Sequence, residues 1–345
     1  MTRNSSFYNE KHEFGIVGFG NIGEVLARHL LERFPNSYVN ICSRRDPESL
    51  RLDLSDKLTK IPSGEKEAVS SDDLIGRVRI YSEIDGKKRT GINEKEFLDS
   101  DIIIYCARNR RVHFSSLKNR DEEFDANKNL LAHDSPRLNG YKGMLLVVTG
   151  PVEPTAEYIA RKSMISRDRI ILMTYIETQR FREALDGEIE KRGYKISKDE
   201  MKKAVVIGEH GTTRVPIYSF ITIAGKDFLE IDDLNSSSLR RKVNQALEDN
   251  PNKLQALKDT GGNVRKPAYA TIKSIEHILA GEEIPIGSFD GELFITNMTK
   301  FYADKNILKA RFNYKFLNEI SKREKKRFDQ SREEIKRRLK TLGLK

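Results

Sequence analysis

The stretch "EFGIVGFGNIGEVLARHLLERF", residues 13–34, constrains the fold more than any other part of the chain. A short apolar strand, Phe14 to Val17, passes through Gly18, Gly20 and Gly23 into a helix with Ile22, Val25, Leu26, Leu30 and Leu31 on its inner side. The three glycines serve different ends, namely a tight turn, close backbone approach to a pyrophosphate, and close packing of helix on strand. The first N–H groups of such a helix lack intrahelical partners and can receive phosphate oxygens. Strand before and helix after are both present, as a dinucleotide-binding motif requires. Gly18, Gly20, Asn21, Ile22 and Gly23 are therefore read as cofactor-binding residues.

A second strand, "YVNIC", ends where such folds carry an acid for the adenosine ribose, but here the chain reads "CSRRDP". No carboxylate stands at that tip, and Asp46 comes only before Pro47. Ser43, Arg44 and Arg45 would suit a 2′-phosphate, because guanidinium groups match phosphate geometry; the alternative is a charged surface turn. The cofactor is thus read as NAD or NADP, with NADP favoured. Three further apolar runs, "DIIIYCA", "MLLVVTG" and "RIILMTY", suit parallel strands covered by helices on both faces. The polar segment 60–98 reads as an insertion with a hairpin around "EIDGKKRTGI".

With 345 residues, 37% hydrophobic and 33% charged, the chain is a charge-rich globular sequence long enough for two domains. No apolar run approaches the roughly 18 residues of a membrane span, and the polar N-terminus is unlike a signal peptide. Cys42 and Cys106 lie in strand-like runs, which argues against a disulfide framework and for a reducing cytoplasm. A net charge of +10 raises the question of nucleic acid. The densest basic stretch is the tail, where Phe328, Ile335, Leu339 and Leu342 recur at helical spacing among Glu324, Glu333 and Glu334. That pattern describes an amphipathic terminal helix with a solvated basic face, and no aromatic platform or zinc-finger spacing accompanies it.

The segment "AVVIGEHGTTRVP" places His210 at the end of a β-branched run. By itself the residue reads as a turn histidine or as a catalyst presented by a strand. The other histidines, His12, His29, His113, His133 and His277, show no metal-ligand spacing, and no metal is expected.

In their order, "GFGNIG", "LDLSDKL", "RDEEFDANKNLL", "LLVVTGPVEP", "ETQRFREAL" and "IGEHGTTRVPIYS" resemble the lactate/malate dehydrogenase family over nearly the whole chain. The resemblance implies an α/β fold: a Rossmann domain over residues 1–175, with a mobile lid at about 108–121, then an α+β substrate domain over 176–345. It implies an NAD(P)-dependent oxidoreductase that interconverts a 2-hydroxy acid and a 2-oxo acid, as a homodimer or homotetramer. His210 matches the family's proton-transfer histidine, a residue type suited to that role by its near-neutral pKa. Glu177 stands where the family has the aspartate that orients it, and Arg180 matches the arginine that grips the substrate carboxylate. Arg120 falls at the carbonyl-polarising lid arginine and Arg111 at the position that selects substrates, as in malate-type enzymes. Arg108 or Arg110 compete for that last role. The segment "DTGGNVRKPAYATIKSIEHIL" matches the far wall of the pocket, facing it with Val264 or Arg265.

Two departures stand out. The family's Asn-Pro is here Gly150-Pro151, following Thr149, so an amide side chain of the pocket is lost and room is gained. Glu177 also adds a methylene behind His210. With Arg265 and with Arg214 after "GEHGTT", the neighbourhood is cationic and favours a small substrate of more than one negative charge, malate-like over lactate; the alternative is arginines that point into solvent. The alternatives are a descendant that binds a dinucleotide without catalysis, as sensor or scaffold, and a basic nucleic-acid-associated protein, which only the net charge supports.

Overall fold

The computed structural model describes residues 10–59, 71–84, 87–89, 92–109, 117, 119–223, 225–230, 236–256 and 265–344. The glycine motif begins the sheet: β1 (Glu13–Val17), β2 (Tyr38–Ser43), β3 (Val78–Ile84), β4 (Lys87–Arg89), β5 (Ile102–Tyr105), β6 (Met144–Val147) and β7 (Ile170–Leu172). All but β4 are parallel, in the order β3-β2-β1-β5-β6-β7. The order reverses direction between β1 and β5, the switch point beyond whose strand ends ligands bind in open α/β sheets. β4 folds back antiparallel on β3 with Arg89 opposite Ser82, the hairpin expected from the sequence.

Alternation along the strands explains why these runs are apolar throughout. Ile103, Tyr105, Leu145, Val147, Ile170 and Leu172 enter one core, and Ile102, Ile104, Met144, Leu146 and Ile171 enter the other. Each fully buried aliphatic side chain contributes about 1.5–3 kcal/mol, and both faces need a helical cover. The longer helices are α1 (Asn21–Arg33), α2 (Pro47–Thr59), α3 (Arg120–Asp134), α4 (Val152–Ser163), α5 (Tyr175–Glu190), α6 (Ser236–Ala256), α7 (Arg265–Leu279) and α8 (Lys322–Thr341), of which α6 packs on α5 in a third core away from the sheet. Leu26 and Leu30 of α1 share one core with Ile272, Ile275 and Ile278 of α7. Ala156 and Ile159 of α4 share the other with Phe328, Ile335 and Leu339 of α8.

Two short antiparallel pairs follow α5: β8 (Val205–Ile207) with β9 (Val215–Ile217), and β10 (Thr222–Ile223) with β11 (Lys226–Asp227). The main sheet then resumes with β12 (Ile284–Phe289), β13 (Phe294–Asp304) and β14 (Ile307–Phe312), all antiparallel. β12 joins the free edge of β7 at Gly287 opposite Leu172, completing ten strands. Both main cores therefore take residues from each side of position 175. α8 starts with a reciprocal cap: Ser321 Oγ accepts from Glu324 N, and Glu324 Oε2 accepts from Ser321 N at 3.1 Å. It is the amphipathic tail helix expected, although Glu324 turns inward and accepts from Tyr218 N at 2.7 Å. Among the described residues, no helix is long and apolar enough to cross a membrane.

Candidate active site

The cleft expected to take the cofactor lies where the tips of β1, β2 and β5 meet. Gly18 has φ +93°, and a Cβ there would stand 2.3 Å from Ala107 Cα, so no side chain fits. A Cβ on Gly23 would stand 2.4 Å from Gly18 O, so α1 can approach the loop only with glycine at that position. Gly20 caps α1 in an extended conformation without a side-chain cap, which leaves the helix start presented to an anion, as a pyrophosphate cradle requires. Asn21 is exposed, and Ile22 packs half-buried on the core. Thr149 Oγ1 donates to Ala107 O at 2.8 Å and ties the tip of β6 to that of β5.

The "SRR" turn is largely occupied with itself. Ser43 Oγ accepts from Arg45 N at 3.1 Å, and the Arg45 guanidinium is paired with Asp53. Arg44 is exposed. Of the three residues expected to suit a 2′-phosphate, Ser43 and Arg45 are thus engaged within their own loop and helix.

The cluster around His210 is assembled from α5 and the β8–β9 turn. Val206 N donates to Thr178 Oγ1 at 2.9 Å, which fixes the start of α5 against β8. Glu177, one residue earlier, then meets His210: Oε1 is 3.2 Å from Nδ1, inside ion-pair distance but off the direction of a hydrogen bond. The same Oε1 accepts from Arg180 Nη1 at 3.0 Å, and Oε2 accepts from Arg214 Nη1 at 3.1 Å. Burial works against the charge of Glu177, but His210, Arg214, Arg180 and Arg120 outweigh it and hold the carboxyl below its ordinary range. His210 is pushed down to about 3, first by burial and then by Arg120, Arg180 and Arg214, against the pull of Glu177. The imidazole is therefore neutral near pH 7.

Arg120 opens α3, whose N-cap Asn119 accepts from Glu122 N at 2.9 Å. A guanidinium at the positive end of a helix gains nothing from the dipole, so the position suits an incoming anion. Arg180 keeps its Nε buried and without a hydrogen bond.

Gly150, joined to Pro151 by a cis peptide, follows β6. The room gained there is already taken: a Cβ on Gly150 would lie 3.2 Å from Glu123 Oε1. Gly150 O accepts from Asn127 Nδ2 at 3.4 Å, so both contacts come from α3.

Several residues of the site are not apparent from the sequence. Glu153, in the first turn of α4, is buried and accepts from His210 N with Oε1 at 2.5 Å, while its Oε2 meets no hydrogen-bonding partner. Burial and the neighbouring Glu209 raise its pKa. Glu209 is buried and contacts Arg338 of α8. The signal for Arg338 lay in the tail itself, three residues after Ile335 on the inner stripe of the helix, where a charge is out of place. Arg265 is exposed at the start of α7, and no contact joins it to His210 among the described residues. Arg110, Arg111, His113 and Val264 lie outside the described residues; Arg108 is half exposed, 3.8 Å from Glu123.

No protein-family model matches the chain. A malate dehydrogenase of Aliarcobacter butzleri is 26% identical over 271 residues, 77% of this chain and 76% of its own length. The solved malate dehydrogenase of Cryptosporidium parvum shares the fold with a TM-score of 0.72 and 19% identity, over 97% of this chain and 99% of its own. The lactate dehydrogenase of the same organism, solved with lactic acid and nicotinamide adenine dinucleotide, gives 0.71 and 16%, over 97% and 98%. Curated relatives and structural neighbours of both kinds support a divergent relative of the lactate and malate dehydrogenases, whose fold the chain shares.

Proposed function

We propose that this protein is an NAD(H)-dependent dehydrogenase that interconverts a 2-hydroxy acid and its 2-oxo acid, with a malate-like or other multiply anionic substrate favoured over lactate. The observation that carries the reading is one carboxylate, Glu177, standing 3.2 Å from His210 and paired with two arginines, Arg180 and Arg214. Gly18, Gly20 and Gly23 would hold the cofactor's pyrophosphate at the start of α1, and bound NAD supplies the hydride acceptor. The name of the Cryptosporidium parvum lactate dehydrogenase structure carries the same dinucleotide. Arg45 is spent on Asp53 rather than left for a 2′-phosphate, which favours NAD over NADP.

In the oxidising direction neutral His210 takes the hydroxyl proton at Nε2, the nitrogen turned away from Glu177. Glu177 then stabilises the imidazolium that forms. Arg180, with its unpartnered Nε, anchors the substrate carboxylate. Arg120 stabilises negative charge on the reacting oxygen. In the reducing direction His210 must first gain a proton, and a substrate carboxylate that offsets Arg180 and Arg120 supplies the field for it. Arg120, Arg180 and Arg214 act on Glu177, while Glu209 is already paired with Arg338 and burial pushes the Glu153 carboxyl towards its neutral form; the remaining guanidinium charge favours a substrate with two negative charges.

A screen of NADH and NADPH, each with oxaloacetate, pyruvate and bulkier 2-oxo acids, tests the reading. We expect turnover with NADH and a dicarboxylate. His210→Asn should lower it about 10²–10⁴-fold while NADH binding persists. No turnover with any pair, despite nucleotide binding, overturns the proposal.

A further inference from the structure

Arg338 of α8 is far in sequence from every residue that the reaction requires, yet its guanidinium lies between two of their neighbours. It contacts the Glu209 carboxylate, its Nε stands 3.2 Å from Asp121 Oδ1, inside ion-pair distance but off the direction of a hydrogen bond, and its Nη2 is 3.5 Å from Glu334 Oε1 of the same helix. Glu209 precedes His210, and Asp121 follows Arg120. We propose that Arg338 is a positioning residue that sets the separation between the proton-transfer histidine and the lid arginine. The inference rests on the roles given above to His210 and Arg120.

The Arg338 side chain is only 13% exposed, and the Glu209 carboxylate it meets is wholly buried. α8 holds residue 209 a second time, because Glu209 N donates to Ser331 Oγ at 2.7 Å. Gly208 allows that approach: a Cβ there would lie 2.7 Å from the same Ser331 Oγ. Glu209 also accepts from Thr213 Oγ1 at 2.6 Å, closing the turn that carries His210. The turn is thus fixed to α8, and Asp121 fixes the first turn of α3 to the same guanidinium. Phe328, Ile335 and Leu339 already secure α8 to the core, so attachment of the helix does not require a buried charge at 338. A planar guanidinium offers several donors in a fixed fork, and can meet two carboxylates at once in a defined geometry. An ammonium at the same place is a point charge on a flexible stem.

Asp121→Asn and Arg338→Lys test this in the full chain. Asp121→Asn cuts one arm only, at a partly exposed carboxylate, and leaves the pairing of Arg338 with Glu209 intact. We expect each variant to lower kcat about 10-fold or more, as a small misplacement of reacting groups does, with the KM for NADH and the thermal midpoint little changed. The double variant should be no worse than Arg338→Lys alone. Retention of kcat within twofold in both single variants, or losses that multiply in the double, overturns the proposal. Nitrogen-15 NMR titration of His210 supplies a readout that needs no turnover. Arg338→Lys conserves charge, so a moved His210 midpoint reports displacement, and an unmoved midpoint counts against the clamp. An inactive parent with a moved midpoint would fail the dehydrogenase reading while leaving the clamp standing.

Discussion

Arg214 Nη1 stands 3.1 Å from Glu177 Oε2, the oxygen that His210 does not use. The extra methylene of glutamate therefore places its carboxylate between a histidine and two arginines. Both partners are buried, with Arg214 at 10% and Glu177 at 3% exposure. Such a pair is costly to break from one side, because the remaining charge stays buried without its partner. Arg214→Gln should cost about 3–5 kcal/mol in urea unfolding. It also removes a charge that opposes protonation of His210, so the acidic limb of kcat/KM should move to higher pH. An unchanged limb would separate Arg214 from the proton chemistry.

The depressed pKa of His210 makes acid lability a second expectation. Folded, the imidazole protonates only near pH 3; unfolded, it protonates near its ordinary value of 6.5. Between those values the unfolded chain binds the additional proton, so stability falls as pH drops through that window. The depressed carboxyl of Glu177 acts in the same direction, its contribution lost as acid protonates it. The histidine's share is at most roughly 5 kcal/mol. Urea midpoints between pH 4 and 7 should flatten in His210→Asn, and parallel curves for variant and parent would refute the assignment.

Gly150 and Glu123 form a complementary pair, glycine on one side and a long acid on the other. Gly150→Asn must push its amide against a carboxylate 3.2 Å from the new Cβ. We expect it to raise the substrate KM and lower the thermal midpoint, at an overpacking cost of about 1–3 kcal/mol. Adding Glu123→Ala should restore much of both, because the obstructing atoms are side chain rather than backbone. Additive losses in the double variant would show that the two positions act independently.

At Gly18 the obstruction is backbone, so no such relief exists. With φ at +93° and Ala107 Cα 2.3 Å from a Cβ, Gly18→Ala must open the junction of β1 and β5. NADH affinity, followed by fluorescence, should fall by at least about tenfold, with a stability loss of about 1–3 kcal/mol or more. Normal NADH binding in a folded Gly18→Ala protein would remove the loop from the cofactor site.

Much of this was legible in one dimension. The glycines at 18, 20 and 23 fix a strand, a turn and a helix because their constraint is local and steric. The apolar runs of β1, β5, β6 and β7 reveal a sheet covered on both faces, because period-two alternation leaves no polar side. The tail announced an amphipathic helix through Phe328, Ile335 and Leu339. His210, Glu177 and Arg180 could be proposed together because their motifs occur in a familiar order.

What the sequence determined, then, is the glycine turn with its strand and helix, the apolar strands of the parallel sheet and the amphipathic tail. What only the tertiary structure decided is which charges meet. Arg338 reaches Glu209 across 129 positions and Glu153 reaches His210 across 57; Arg45 turns to Asp53 instead of outward, and Glu123 fills the space beside Gly150. A buried charge is tolerated only with a partner, and the partner is chosen by how helices stack on the sheet. Periodicity says which face of a helix turns inward, but not what stands opposite.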